Sequence, residues 1–288
     1  MNARYWLNAA VTLARRRTTL VAGGLFLLII AFALVWPLVS PYGADDVDFS
    51  RNRQGPSRAH PLGTDQFGRD LLARLAVGGR TTLAIVGIAI VIIFAVGLLY
   101  GATAALAGRK TDTLMMRVLD GLFALPRLPI AIVILAALKL NAQNVQTVAL
   151  ALGVAGWMLT ARLVRGQLLM LKQQDYVRAA RAVGASWTRV ASRHLVPNSA
   201  GILAVALLLE LPTVVVGEAF LAVLGLGPEA PTATWGNIAQ QGLHFHRLWE
   251  MSLPTAMIVA FALSANVLVD ALGEALDPRT QLGRRAAQ

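Results

Sequence analysis

The sequence predicts an all-α, polytopic membrane protein with about six transmembrane helices. Hydrophobic residues make up 56% of the chain and charged residues only 14%, whereas soluble domains run near a quarter charged. The apolar residues gather into long runs instead of amphipathic stripes, which places the chain in the membrane class. Several runs reach the roughly 20 residues that a helix needs to cross about 30 Å of hydrocarbon. The formal charge of +11 would suit nucleic acid. The basic residues, however, flank the apolar runs, where cytoplasmic loops collect Lys and Arg, so no nucleic-acid partner is expected. There is no cysteine, which excludes disulfides, Cys-based zinc sites, iron–sulfur clusters and thiol catalysis.

Residues 1–19 read as a basic cytoplasmic tail and residues 20–39 as the first span. Arg15-Arg16-Arg17 ahead of an apolar run has the look of a signal peptide. The run exceeds an h-region of about 7–15 residues and lacks Ala-x-Ala spacing, so a retained anchor is expected. Residues 40–80 form an extracytoplasmic loop that opens with Pro41, Gly43, Asp45 and Asp46. Near its end Leu71, Leu72, Leu75 and Ala76 fall at helical spacing, predicting a short interfacial helix before the second span. Residues 81–272 form a five-helix core, with spans near Thr81–Ala107, Val118–Leu138, Val145–Leu163, Ser199–Leu224 and Leu248–Leu272. Pro126, Arg127 and Pro129 interrupt the third span, which is expected to start as an interfacial helix and kink before crossing. Residues 273–288 are a short cytoplasmic tail, frayed after Asp277-Pro278. Trp36, Tyr42 and Trp249 fall near the predicted interfaces, where amphipathic rings are favoured.

With the N-terminus inside, seventeen Lys and Arg fall in inner segments and eight in outer ones, with Arg127 at the inner boundary. This bias puts both termini in the cytoplasm. The outer loop offsets its arginines with Asp45, Asp46, Asp48, Asp65 and Asp70.

The segment 175–198, between the fourth and fifth spans, is rich in small and polar residues. Asp175 is placed to cap a helix starting at Tyr176, Gly184 to break it, Ser186 to cap a second helix and Pro197 to end that one. Tyr176, Ala179, Ala180, Val183 and Trp187 follow one helical face flanked by arginines. Two readings of this face are open. It rests on lipid headgroups, or it is a handle whose small residues admit another protein's backbone while Tyr176 and Trp187 fill a groove.

The segment resembles the coupling loop of ABC importer permeases, whose usual form is close to Tyr-Val-Glu-Ala-Ala-x-x-x-Gly-Ala followed by Arg-His-x-x-Pro-Asn. Tyr176, Val177, Ala179, Ala180, Gly184, Ala185, Arg193, His194, Pro197 and Asn198 are kept. Arg178 replaces the glutamate, which reverses the charge shown to a partner and removes a reciprocal capping group. The resemblance covers nearly the whole chain. His60-Pro61-Leu62-Gly63-Thr64-Asp65-Gln66-Phe67-Gly68-Arg69-Asp70 is similar to a hallmark of the dipeptide, oligopeptide and nickel permease group, as are Asp112 through Met116-Arg117, Asp120 and Pro126. Glu218-Ala219, Leu224-Gly225-Leu226-Gly227 and Trp235-Gly236 resemble its later signature, with Ala222 for a usual serine.

This resemblance implies a type I ABC importer permease fold and alternating access. It also implies two ATP-binding subunits that carry ATP and Mg and dock on 175–198, a second homologous permease chain, and an extracytoplasmic substrate-binding protein. That protein would meet the outer loops at Ser40–Arg80 and Gly225–His246. Small peptides are the expected cargo; nickel chelates, glutathione or haem-like ligands are alternatives, and a proton-coupled carrier is a further one.

Four polar residues, Glu210, Glu218, Asn266 and Asp270, lie in or near apolar runs. A mid-bilayer carboxylate costs roughly 2.5–3.5 kcal/mol on insertion scales, so it faces a bundle interior or water. For Glu210, just before Pro212, two readings stand. It lines a pathway or pairs with a partner subunit, or it is a buried carboxyl bonded to backbone loosened by the proline. Glu218 and Asp270 are expected at span boundaries. Other patterns do not form sites. His244-Phe245-His246 with Glu250 lacks a shared helix face, and Ser192, His194 and Asp175 are accounted for by the loop. Gly78-Gly79-Arg80-Thr81 lacks the Gly-Lys-Ser/Thr core of a phosphate loop. No metal, no resident cofactor and no catalytic residue is expected, and ATP hydrolysis is assigned to separate subunits.

Overall fold

The computed structural model describes residues 16–137 and 144–276. Most of the N-terminal tail, the end of the third predicted span at Leu138, and the ending Asp277-Pro278 lie outside them. The elements are α1 (Arg17–Val39), α2 (Leu71–Leu106), α3 (Arg109–Phe123), α4 (Arg127–Ala137), α5 (Val145–Lys172), α6 (Asp175–Ala182), α7 (Trp187–Val190), α8 (Val196–Val223), α9 (Trp235–His244) and α10 (Leu248–Leu276). Among the described residues five helical stretches are long and apolar enough to cross a membrane, and α3 with α4, bent by 91°, pass together as a broken span or a re-entrant loop. This is a multi-pass, all-helical architecture among the described residues.

The helix α2 is 36 residues long, or about 54 Å at 1.5 Å per residue. The interfacial helix expected at Leu71–Ala76 is therefore not separate. It is the first turns of α2, capped by Asp70, whose side chain accepts from the Ala73 N–H at 2.7 Å. No glycine or proline breaks the hydrogen-bond ladder at Gly78-Gly79; instead those glycines make room for α9. A Cβ at Gly79 would come within 2.8 Å of the Trp235 ring.

The main packing is α2 on α5. Small residues bring the two backbones together, because apolar side chains gain little from leaving lipid and close van der Waals contact must do the work. A Cβ at Gly101 would sit 2.4 Å from the Ala161 carbonyl oxygen, and one at Gly153 would sit 2.8 Å from the Ile92 Cβ. The principal core joins Ile85, Ala89 and Ile93 of α2, Val148 and Leu152 of α5, Val214 and Leu221 of α8, and Trp235 and Phe261. α1 packs on α2 and α10. Prolines occur inside α1, α8 and α10 at Pro37, Pro212 and Pro254, as neighbouring helices permit.

Glu218, five residues before the end of α8 at Val223, is fully buried. It belongs to a knot joining α2, α8 and α9. Thr82 Oγ1 donates to Glu218 at 3.4 Å and accepts from the Trp235 N–H at 3.1 Å. The Trp235 indole N–H donates to the Leu75 carbonyl at 2.9 Å. Of these bonds only the one from Thr82 reaches the buried carboxyl, at Oε2, and a buried polar group is tolerated where a donor meets it.

Candidate functional site

Three places carry the polar chemistry, one at each end of α2 and one between the helices. At the first end, residues 60–70 fold into a stapled loop. Asp65 accepts from the Phe67 N–H at 2.8 Å, the Arg69 N–H at 3.0 Å and the Arg69 Nε at 2.7 Å. Asp70, besides capping α2, meets His60 Nδ1 at 2.9 Å. On the other side of the ring, Arg51 lies 3.0 Å from His60 Nε2. Arginine can only donate, so Nε2 accepts and Nδ1 carries the proton toward Asp70. Thr64 Oγ1 accepts from the Gln54 N–H at 2.9 Å and donates to the Arg51 carbonyl.

Two turns in this loop demand glycine. Gly63 and Gly68 hold φ of 82° and 75°, and a Cβ at Gly68 would stand 1.7 Å from the Asp48 carbonyl oxygen. The Trp249 indole donates to the Leu62 carbonyl at 2.9 Å, tying the loop to α10. His60, Thr64, Asp65, Arg69 and Asp70 are all buried while Pro61 is exposed. The motif residues thus build the loop's interior and leave other residues to face outward.

At the far end of α2, Lys172 donates to the Ala105 carbonyl at 2.7 Å, and segment 175–198 packs against the ends of α2 and α5. Its anchor is Val177, only 1% exposed, in a cluster with Ala105, Val164, Leu168, Val190, Leu195 and Leu203. The expected single apolar face is split. Tyr176, Ala179 and Val183 point outward, Val183 at 86% exposure, whereas Ala180 and Trp187 pack inward on that cluster. Lys172 and Arg181 lie 4.8 and 4.7 Å from the Trp187 ring centroid, so cation–π contacts hold Trp187 in place and it is not a free anchor.

Three further expectations for this segment change. Asp175 is not the cap: α6 begins at Asp175 itself, with Gln174 at the N-cap and no side-chain cap bond. Its carboxylate lies 3.9 Å from Arg178, both exposed, a contact worth little in solvent. Nor does Pro197 end a helix. Residues Ala191–Leu195 form a π-helical turn that runs into α8, with Pro197 in its first turn. Proline cannot supply the usual N–H to the carbonyl four residues back, and the chain widens there. The Val196 N–H reaches the Ala191 carbonyl, and the Asn198 amide donates to the His194 carbonyl at 2.7 Å. Gly184, at φ 86°, follows the end of α6, and Ser186 Oγ accepts from the Arg189 N–H at 3.3 Å. The Tyr176 and His194 rings lie 6.1 Å apart.

Between the helices lies an open cleft of about 420 Å³, lined by residues that include Arg127, Leu152, Pro212, Thr213, Gly217 and Asn266. Glu210 is buried in the bundle interior, with a partner that neither reading named. Its carboxylate, 3% exposed, pairs with Arg127 of the same chain at 2.5 Å. Arg127 also lies 3.5 Å from the Leu152 carbonyl through its second terminal nitrogen. Gly156 makes the space, since a Cβ there would be 2.1 Å from that nitrogen. One sequence signal pointed to this pair. Apart from Arg162, at the end of the fourth run, Arg127 is the sole Lys or Arg within the six apolar runs, and an intramembrane acid seeks a base. Asn266 faces the same cleft, while Asp270, one turn on, is exposed. The amphipathic α3 is braced to α5 by Arg165 on Asp112, a two-point pair with one contact at 2.7 Å, and by Arg162 on Asp120 at 2.6 Å.

The bundle carries a sharply bent helix pair, a mostly apolar cleft with Arg127 in its wall, and a small helical knob at one end, an arrangement compatible with a transport permease. The chain belongs to the family of binding-protein-dependent transport system inner membrane components, which it matches over residues 95–282. Residues 4–56 match the N-terminal transmembrane domain of oligopeptide transport permease C. The oligopeptide transport system permease protein OppC of Bacillus subtilis (strain 168) is 35% identical over 276 residues, 95% of this chain and 90% of that one. The dipeptide transport system permease protein DppC of the same organism is 35% identical over 272 residues, 92% and 83% of the two chains. OppC of Escherichia coli (strain K12) is 33% identical over 278 residues, 95% and 91%. A solved structure of the MetNI methionine ABC transporter superposes with a TM-score of 0.56 at 18% identity, covering 69% of this chain and 96% of that one. It establishes the ABC importer permease fold. The protein is a multi-pass permease component of an ABC importer and not itself an enzyme.

Proposed function

We propose that this permease moves short peptides across the cytoplasmic membrane by alternating access, powered by separate ATPase subunits that dock on segment 175–198. The observation that carries the cargo is the near full-length likeness to permeases named for oligopeptide and dipeptide transport. The docking role is supported by the knob's construction: Val177 pins it to the ends of α2 and α5, while Tyr176, Arg178, Ala179 and Val183 stay open to a partner. Such a joint can pass a push on α6 into two spans at once. Two ATP-binding subunits with ATP and Mg, a second homologous permease chain and an external binding protein complete the importer. Both termini and the knob then lie in the cytoplasm, with residues 40–80 and α9 outside. A ligand shifts the two access states only through different affinity for them, so the cleft must change as the knob moves.

The test is the complex assembled with its natural partners in proteoliposomes, supplied with di- and tripeptides, a nickel chelate, glutathione and haem. ATP-dependent uptake of peptides alone is the expected result. Uptake of another of these cargoes instead of peptides would replace the cargo, and uptake that survives loss of the ATPase but collapses with the proton gradient would establish a carrier. Replacing Gly184 with leucine should leave insertion intact but separate ATP turnover from uptake; normal uptake would overturn the docking role.

A further inference from the structure

Resting on the peptide-import reading, we propose that Arg127 is a specificity-determining contact: its guanidinium, held by Glu210 at the cleft wall, takes the free carboxylate of the peptide in transit. Three observations carry this. First, the Arg127 side chain is 21% exposed while its partner Glu210 is 3% exposed, so the cation faces the cleft from a base buried behind it. Second, arginine has five N–H donors, and among the described residues the two acceptors that it meets are Glu210 and the Leu152 carbonyl. Donors are left to receive a carboxylate, which a guanidinium fork matches in shape. Third, the site is built. Gly156 leaves space for one terminal nitrogen, Leu152 supplies a carbonyl against it, and Glu210 fixes the other. The remainder of the wall near the cation is neutral, with Thr213 and Asn266 as its polar members, so the cation decides which end of a peptide is held there.

Glu210 has a second effect. It cancels most of the guanidinium charge in the apolar surroundings, and this limits the affinity for a carboxylate. A transporter needs a contact strong enough to select its cargo and weak enough to release it.

The chain contains no cysteine, which makes a direct test practical. Thr213→Cys in the cleft wall is labelled with a maleimide in the fully assembled importer, and modification is read on this chain by mass spectrometry. Trialanine and its C-terminal amide are the protecting ligands. Half-protection is expected at about tenfold lower concentration for the free acid, a factor equal to about 1.4 kcal/mol. In Arg127→Gln/Glu210→Gln, which leaves no buried charge unpaired, the two curves should coincide. Arg127→Lys, which keeps charge without the fork, should fall between. Equal protection by acid and amide in the Thr213→Cys parent overturns the assignment, as does a difference that persists in the double variant, or no protection by either. Uptake of trialanine by the same vesicles separates the two levels: uptake without discrimination in the cleft removes only the Arg127 role, and absence of uptake removes the peptide reading as well.

Discussion

Val177 and Val183 sit six residues apart in the same small knob, and their different burial predicts opposite failures. Val177 is 1% exposed and Val183 86%. Truncating Val177 to alanine removes two methyl-sized groups at about 0.8 kcal/mol each, plus a small cavity term. That makes about 2 kcal/mol lost from the joint between α6 and the ends of α2 and α5. On the scaling of soluble domains of 150–250 residues, about 2–4 °C per kcal/mol, the melting temperature should fall by about 4–8 °C. Val183→Ala changes a solvated methyl pair and should shift stability by no more than about 0.5 kcal/mol. Function should order differently. A slack Val177 joint lets the knob move without the bundle, so ATP hydrolysed per peptide imported should rise while the ATPase subunits still copurify. Val183→Ala should weaken that copurification if the outward face is the docking face. The assay is a thermal melt of the purified complex beside measured ATP-to-peptide stoichiometry in proteoliposomes. If Val183→Ala destabilises as much as Val177→Ala, or if Val177→Ala keeps the parent stoichiometry, the anchored-lever argument is wrong.

Arg127→Ala alone should cost about 3–5 kcal/mol, because it strands a buried carboxylate; thermal melting should show Arg127→Gln/Glu210→Gln to be markedly more stable than Arg127→Ala. Gly68→Ala should collapse the loop at 40–70, since its Cβ would stand 1.7 Å from the Asp48 carbonyl oxygen; limited proteolysis from the outer side should cut it rapidly, whereas Gly184→Ala, with nothing within 4 Å of its Cβ, should lose only the roughly 1–2 kcal/mol of the left-handed backbone. Trp235→Phe should lose the indole bond to the Leu75 carbonyl, worth about 0.5–1.5 kcal/mol net because that carbonyl stays in the helix ladder, read as a lower melting temperature.

Much of the architecture was legible along the chain. Run length and polarity located the spans, and Pro126 located the break now seen as a 91° turn between α3 and α4. Local capping was harder. Asp175 and Pro197 are both helix punctuation by type, yet one became the first residue of α6 and the other was absorbed behind a π turn. Local preferences of this kind are weak, and packing of the adjoining segment against α2 and α5 outweighs them. The early part of α2 follows the same logic: the spacing at Leu71–Ala76 suggests a separate short helix, but the helix runs on through Gly78 and Gly79, where α9 approaches.

What the order of residues decided by itself is the solvent. Long apolar runs with so few charges can satisfy their backbone only as helices within lipid, and the motifs at 60–70 and 175–198 mark their two ends. What only the folded molecule decided is which groups meet. Glu210 and Arg127 are 83 positions apart, and no periodicity links them. Their pairing depends on α4, α5 and α8 converging where Gly156 leaves space for a guanidinium. Likewise Trp187 is drawn inward by Lys172 and Arg181, while Val183 is left outside. Short-range chemistry sets the elements, but contacts between distant residues are created by packing, and the cleft and the knob are made of such contacts.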